Sequence, residues 1–485
     1  MMTQTDNLSS TLNKKSSWKG VKPIQTAIVL IAGVILWFMP SPEGIDINTW
    51  HLFVIFVTTI FGIILKPLPM GGVAILSLAV SVGTKTLELS QAISSFSSKI
   101  VWLILLAFFI ARGFVKTGLG SRIAYFFVKT FGKSSLGLSY SLVLSELLLA
   151  PAIPSNTARG AGIIFPIVNA LNKEQGSCPT KGTQKLLGAF LITVLFHSNL
   201  ISSAMFVTAI AGNPLIVSLA ADVGVELTWA GWATATIVPG IVNLTLLPLF
   251  MYVFNPPELK YTPEAPAAAS KKLKEMGSLG FQETTMLITF ISLLILWIFG
   301  AKIGLDATTS ALLGLAVLLF TGVLTWDDLL SEKSAWGTFI WFAILLMMAG
   351  QLSKLGMVDW FSGKMQGAVQ SLHWSVAFAV LSLVYFYSHY IFAGLTPHVS
   401  SMYSAFLVVI IAAGTPPHLA AISLAAFSSL CGGLTHYGSG TAPVYYGAEY
   451  VSVSDWWKLG ALVSVLNIVV WTIVGGVWWK VLGIW

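Results

Sequence analysis

Fifteen apolar runs, from 24–39 to 459–483, follow one another along this chain with short polar gaps between them. Charged residues make up only 9% of the chain and hydrophobic ones 56%, whereas a soluble domain carries about 25% charged residues. That is too little polar side chain to cover a water-facing surface. Long continuous runs, rather than short alternating segments, argue against a β-barrel. The expected fold is therefore an all-α polytopic membrane protein. With about 20 residues needed per crossing, about 11 transmembrane helices are expected.

Some runs are too short to cross, and these carry the information. Runs 136–152 and 161–171 flank the break Pro154-Ser155-Asn156-Thr157-Ala158-Arg159-Gly160. Runs 374–392 and 399–413 flank Gly394-Leu395-Thr396-Pro397-His398. Each pair reads as a re-entrant hairpin, or as a broken helix and its return. Such backbone is tolerated at membrane depth only inside protein or lining a polar cavity. Thr157 and Arg159 match Thr396 and His398 at a separation of 239. Val101-Trp102-Leu103 matches Ile340-Trp341-Phe342 at 239, and Lys116–Leu119 matches Lys354–Met357 at 238. The ordered set points to an internal duplication. An odd number of crossings in each half would make the repeat inverted, as in many secondary transporters.

The two breaks share a chemistry. At the first, Pro151 and Pro154 stop one helix and a new one starts near Ala158. A helix N-terminus offers free N–H groups and partial positive charge, which together suit an anion. Arg159 in that first turn adds a fork suited to a carboxylate. Its competing reading is an arginine that snorkels to the interface. At the second break Thr396 keeps a hydroxyl and His398 is a potential cation, or a hydrogen-bonded core histidine. Ala211-Gly212-Asn213-Pro214 and Tyr437–Pro443 follow the hairpins at similar distances and read as further polar breaks, or as plain loops. The candidate substrate ligands are Ser155, Asn156, Thr157, Arg159, Asn213, Pro214, Thr396, His398, Ser439, Thr441 and Pro443.

Other classes are disfavoured. The net charge of +7 lies in loop lysines, as the positive-inside rule expects, and does not call for nucleic acid. Cys178 and Cys431 form no metal or redox motif. There is no P-loop, zinc-protease or nucleophile-elbow motif, so neither an enzyme nor a cofactor is expected. An anion channel remains open as another class. Expected boundaries are a cytoplasmic segment 1–23, a first unit 24–254 with its tip at 155–157, a cytoplasmic linker 255–282 rich in Pro and Lys, and a second unit 283–485 with its tip at 394–396. The N-terminus is expected inside and the C-terminus outside.

With Ser155-Asn156-Thr157 at a hairpin tip, a duplicated hairpin and two later helix breaks, the chain resembles the divalent anion:sodium symporter (DASS, INDY-type) family over nearly its whole length. Ser155–Pro166 and Tyr437–Gly447 look most like its 2-oxoglutarate/malate translocator branch. The resemblance implies a homodimer of scaffold and transport domains that carries C4/C5 dicarboxylates (malate, succinate, fumarate, 2-oxoglutarate) by an elevator movement. Sodium-coupled members carry Ser-Asn-Thr at both tips. Here Gly394-Leu395-Thr396 stands at the second. The expectation is sodium-independent obligate exchange, with Arg159 and His398 replacing sodium ions in charge compensation. The alternative is a sodium-coupled dicarboxylate or citrate symporter.

Overall fold

This computed structural model describes residues 20–369 and 373–485, so most of the expected N-terminal segment 1–23 lies outside the described residues. Among them every regular element is a helix, and the single β-type pairing is an isolated bridge between Ser134 and Tyr261. Nine described helices are long and apolar enough to cross a membrane, and six shorter apolar helices accompany them. Their starts follow local rules. Asp46, Ser134, Thr228, Asp306 and Ser452 each cap a helix by accepting a hydrogen bond from a first-turn N–H. The outward faces are apolar: Leu30, Ile31, Val34 and Ile35 are all exposed on the Pro23–Trp37 helix. An exposed apolar face suits lipid, whereas the Gly188–Met205 helix is buried along its entire length.

The duplication is written in the turns. Residues with left-handed backbone pair along the chain as Lys66 with Gly304, Lys85 with Gly322, Gly118 with Gly356 and Gly176 with Gly414, at separations of 237 or 238. After the second tip the separation drops, and Gly224 pairs with Glu449 at 225. The elements follow the same order. Lys99–Thr117 corresponds to Lys333–Lys354, Ser135–Leu149 to Trp374–Tyr387, and Trp229–Phe254 to Val453–Val481. Short segments with a left-handed turn at one fixed register in both halves are hard to obtain without a repeated unit.

Two groups of helices pack around separate centres. One gathers Pro23–Trp37, Ile47–Leu65, Met70–Gly83, Lys99–Thr117, Phe281–Phe299, Ala307–Phe320 and Lys333–Lys354. The other is built on Gly188–Met205, against which Ser135–Leu149, Trp229–Phe254 and Pro417–Leu430 pack. Leu119–Phe131 and Met357–Val369 bridge the groups. The linker 255–282 carries regular structure. Residues Glu264–Glu275 form a helix that packs on Leu119–Phe131 through buried Ala265 and Ala269. Pro266 lies within its first turn, where a missing N–H costs nothing. Arg122 closes the linker with a two-pronged ion pair to Glu283, at 2.7 and 2.9 Å.

Asp222, in the loop after the Gly212–Ala221 helix, sits where the groups meet. Its carbonyl accepts a hydrogen bond from the Ser353 hydroxyl at 3.1 Å. Burial raises its carboxyl from 3.8 to about 6, and Lys354 offsets part of that rise. The folded protein therefore binds this proton more tightly than the unfolded chain. The stabilisation is complete below 3.8 and is lost as pH rises through about 6. Detergent-purified protein should melt at a lower temperature on the alkaline side of that window than on the acid side. Asp222→Asn should reduce the difference; a variant with the wild-type pH profile would contradict this assignment.

Candidate functional site

A cavity of about 400 Å³ opens between the two hairpin tips, within the range of small-ligand sites. Ser155, Asn156 and Thr157 line it from the first tip, and Gly394, Leu395 and Thr396 from the second. Ala211 and Gly212 contribute from one later break, and Tyr437, Ser439, Gly440 and Pro443 from the other. Lys66, Met70 and Phe108 close the side contributed by the other helix group. Two further crevices, among Pro23–Trp37 and its neighbours and around Trp374, are walled almost wholly by apolar side chains. They offer an anion no set of donors.

Both tips are helix starts. Ser155 Oγ accepts from the N–H of Ala158 at 3.1 Å, as a cap does. The chain then winds as a wide π-helical run, Thr157–Ile164, before continuing as Phe165–Glu174. Such widened turns recur at functional sites. At the second tip the Leu395–Ala412 helix begins directly after Gly394, whose φ of 124° a side chain would not tolerate. At the first tip the N–H groups of Ala158 and Arg159 are already paired with Ser155 Oγ and the Ser155 carbonyl, so each tip brings to the cavity chiefly the positive end of a helix dipole and its polar side chains. The side-chain amide nitrogen of Asn156 is buried and has no protein partner among the described residues. A carboxylate oxygen is the kind of group that satisfies it.

Six of the expected ligands line the cavity: Ser155, Asn156, Thr157, Thr396, Ser439 and Pro443. Arg159, Asn213, Pro214, His398 and Thr441 are not among its lining residues. Arg159 is fully buried and ion-paired with Glu146, whose side chain is 1% exposed. Its guanidinium also donates to the carbonyls of Ile153 (2.7 Å) and Ala209 (2.9 Å) and to Ser203 Oγ (2.9 Å). The expected unpaired cation at the tip is thus neutralised within the protein. Asn213 donates its amide nitrogen to the carbonyls of Ser203 and Phe206, and Pro214 is buried in the first turn of its helix. Thr441 bonds Ser439 and Asn199.

Glu146, the residue missed in the sequence, is the centre of this network. Its Oε1 accepts from Arg159, from Asn199 Nδ2 (2.7 Å) and from Ser202 Oγ (3.2 Å). Asn199 Nδ2 also reaches the carbonyl of Asn156, and Tyr445 OH donates to the carbonyl of Gly160. The first tip is therefore fixed from three directions. At the second tip His398 does the same with fewer bonds. Its Nε2 lies 3.1 Å from the Tyr385 carbonyl oxygen and 3.0 Å from Ser388 Oγ. Tyr385 stands 239 residues after Glu146, so each anchor bonds the equivalent residue of its own unit. Behind this tip His389, His398 and Cys431 bring potential metal-ligand atoms within 4.8 Å of one another.

Glu146→Gln or Arg159→Ala would leave one buried charge without its partner. Each should lower stability by about 3–5 kcal/mol, read as a drop in melting temperature in detergent. A fully stable Arg159→Ala protein would contradict the ion-pair role. Gly440 faces Thr157 so closely that a Cβ there would overlap the threonine hydroxyl. Gly440→Ala should weaken ligand binding by displacing the first tip while leaving the helical content unchanged. Binding at the wild-type level would show that the tip adapts.

Residues 21–485 match the family described as the sodium:sulfate symporter transmembrane region. YflS of Bacillus subtilis is 56% identical over 466 residues, covering 96% of this chain and 98% of the relative. Dicarboxylate transporter 1, chloroplastic, of Spinacia oleracea is 52% identical over 473 residues, covering 96% of this chain and 83% of the relative. The crystal structure of the Alcanivorax borkumensis YdaH transporter, which reveals an unusual topology, is similar in fold. The TM-score is 0.52 at 11% identity, over 95% of this chain and 97% of that one.

Proposed function

The chain belongs to the sodium:sulfate symporter family, the divalent anion:sodium symporters, and from that premise we propose that this transporter exchanges C4/C5 dicarboxylates across the membrane without sodium. The observation that carries the reading is the cavity between two helix starts, lined by hydroxyls and an amide from both halves of a duplicated unit. Chloroplast relatives about half identical in sequence are named dicarboxylate transporters, which supports the substrate class.

Sodium independence rests on Arg159. In broken-helix transporters, unwound backbone carbonyls coordinate the coupling ion. Here the guanidinium already occupies such oxygens, those of Ile153 and Ala209. A covalently held cation cannot leave with the substrate. Arg159 thus stands in for sodium by filling a carbonyl cage, without touching the anion. His398 holds the equivalent place at the second tip. Exchange follows from the donors that remain. With no anion held, polar groups such as the Asn156 amide nitrogen would cross the apolar interior unpaired, at about 1–3 kcal/mol for each group left unsatisfied. A loaded site crosses more easily than an empty one.

The rest of the reading is an elevator in which the tip-bearing helices slide past the other group as an inverted repeat, in a homodimer with the N-terminus inside and the C-terminus outside. The test uses purified full-length protein in liposomes. Labelled succinate should enter vesicles loaded with malate or 2-oxoglutarate, fail to enter empty ones, and be indifferent to replacement of sodium by choline. Sodium-driven uptake into empty vesicles would overturn exchange in favour of symport, and continuous conductance in a planar bilayer would indicate a channel.

A further inference from the structure

The network around Arg159 leaves a charge to be accounted for. A dicarboxylate brings two negative charges, and the two cations once expected to meet them lie behind the tips. Among the described residues lining the cavity one ionised side chain remains. Lys66 is on the wall that faces the tips, in the turn between the Ile47–Leu65 and Met70–Gly83 helices. We propose that Lys66 is a substrate-binding residue, whose ammonium group holds one carboxylate of the dicarboxylate while the tips hold the other. This inference rests on the dicarboxylate reading of the cavity.

Three observations carry it. Lys66 is exposed and makes no ion pair among the described residues. Its charge is therefore not spent within the protein, unlike that of Arg159. Its backbone is left-handed, with φ 54° and ψ 53°, and it directly precedes Pro67. A left-handed conformation is uncommon for a side-chain-bearing residue, and a following proline disfavours helical backbone further. The corresponding turn of the second unit carries Gly304, followed by Leu305, and has neither restriction. Finally, the turn is held in place. The Lys66 N–H donates to the Gly62 carbonyl at 2.9 Å, and the Pro67 carbonyl accepts from the Lys22 N–H at 3.0 Å. A strained residue kept at a cavity wall by its surroundings is the pattern expected of a functional position. Lys85 shares the left-handed backbone, but it does not line the cavity and has no proline after it.

The geometry also assigns a specificity. One cation opposite two neutral donor tips distinguishes an anion with a carboxylate at each end from one with a single carboxylate. Lys66 belongs to the helix group that does not bear the tips, so its contact is made across the cavity and not within one moving part.

The test compares wild type with Lys66→Gly, Lys66→Ala and Lys66→Arg as full-length proteins. Lys66→Gly matches the backbone preference of the turn and should melt no lower than wild type. That separates loss of charge from loss of fold. Two readouts are taken: stabilisation of the detergent-purified protein by succinate or by its monoamide, and succinate counterflow in liposomes. The Gly and Ala variants should weaken succinate binding and raise its KM about tenfold, with maximal rate retained. The monoamide should be affected little, and Lys66→Arg should stay close to wild type. Lys66→Gly with wild-type affinity for succinate, or with equal losses for succinate and the monoamide, would overturn the assignment and leave the dicarboxylate reading standing. A wild-type protein that neither binds nor exchanges succinate would overturn both.

Discussion

Two opposite charges buried side by side, Glu146 and Arg159, hold the first half of this protein in its working shape. Either alone would be very costly at that depth, and water cannot reach them to help. Together they form a neutral unit with further bonds to Ile153, Ala209, Asn199, Ser202 and Ser203. Those partners belong to the arm before the tip, to the wholly buried Gly188–Met205 helix and to the break that follows it. An interaction with so many fixed partners leaves the tip little freedom.

What faces the cavity is accordingly small and neutral. Ser155, Asn156 and Thr157 stand in front of the ion pair, and Gly440 lies against Thr157 with no room for a side chain. The second tip repeats the plan in lighter material. His398 bonds the Tyr385 carbonyl where Arg159 bonds the Glu146 carboxylate, and Thr396 alone supplies a hydroxyl. The asymmetry noticed in the sequence thus reaches behind the tips. One half is anchored by a full ion pair, the other by a histidine and a backbone carbonyl.

Much of this was legible in the residues because the signals are local. Apolar runs mark the helices, and Pro154 and Gly394 mark where two of them stop. The duplication was readable from the separation of 239, and the left-handed turns now repeat it at nearly the same spacing. The pairing of Arg159 is hidden in the sequence because its partner lies 13 residues earlier, inside Ser141–Leu149, a stretch that otherwise reads as an ordinary span. A charge at membrane depth is costly; that applies to Arg159 and Glu146 alike, and two such residues in one hairpin predict a pair. Lys66 gave no such signal. It stands in a polar gap, Lys66-Pro67-Leu68-Pro69, where a lysine reads as a loop residue at the membrane surface. Only the folded chain brings that turn to the cavity wall. The linker helix was hidden for a different reason, since prolines confined to its start look the same in sequence as prolines that forbid a helix.

The charge balance of the cavity ties these points together. The Glu146–Arg159 pair contributes no net charge, so it cannot compensate a dianion; its part is to place the tip and to occupy oxygens that a mobile cation would otherwise need. Each helix start contributes an effective charge of roughly +0.5 where its donors reach the ligand. The two tips together therefore offer about one positive charge, and one carboxylate is what that can hold. The second carboxylate requires a full cation, and the lining offers Lys66. A site built this way has its two positive centres on different helix groups. In the proposed elevator, movement of the tips relative to the wall would change the distance between them, so affinity for the anion would be coupled to the position of the tips. That is a requirement for a carrier, which must hold its substrate in one arrangement and release it in another.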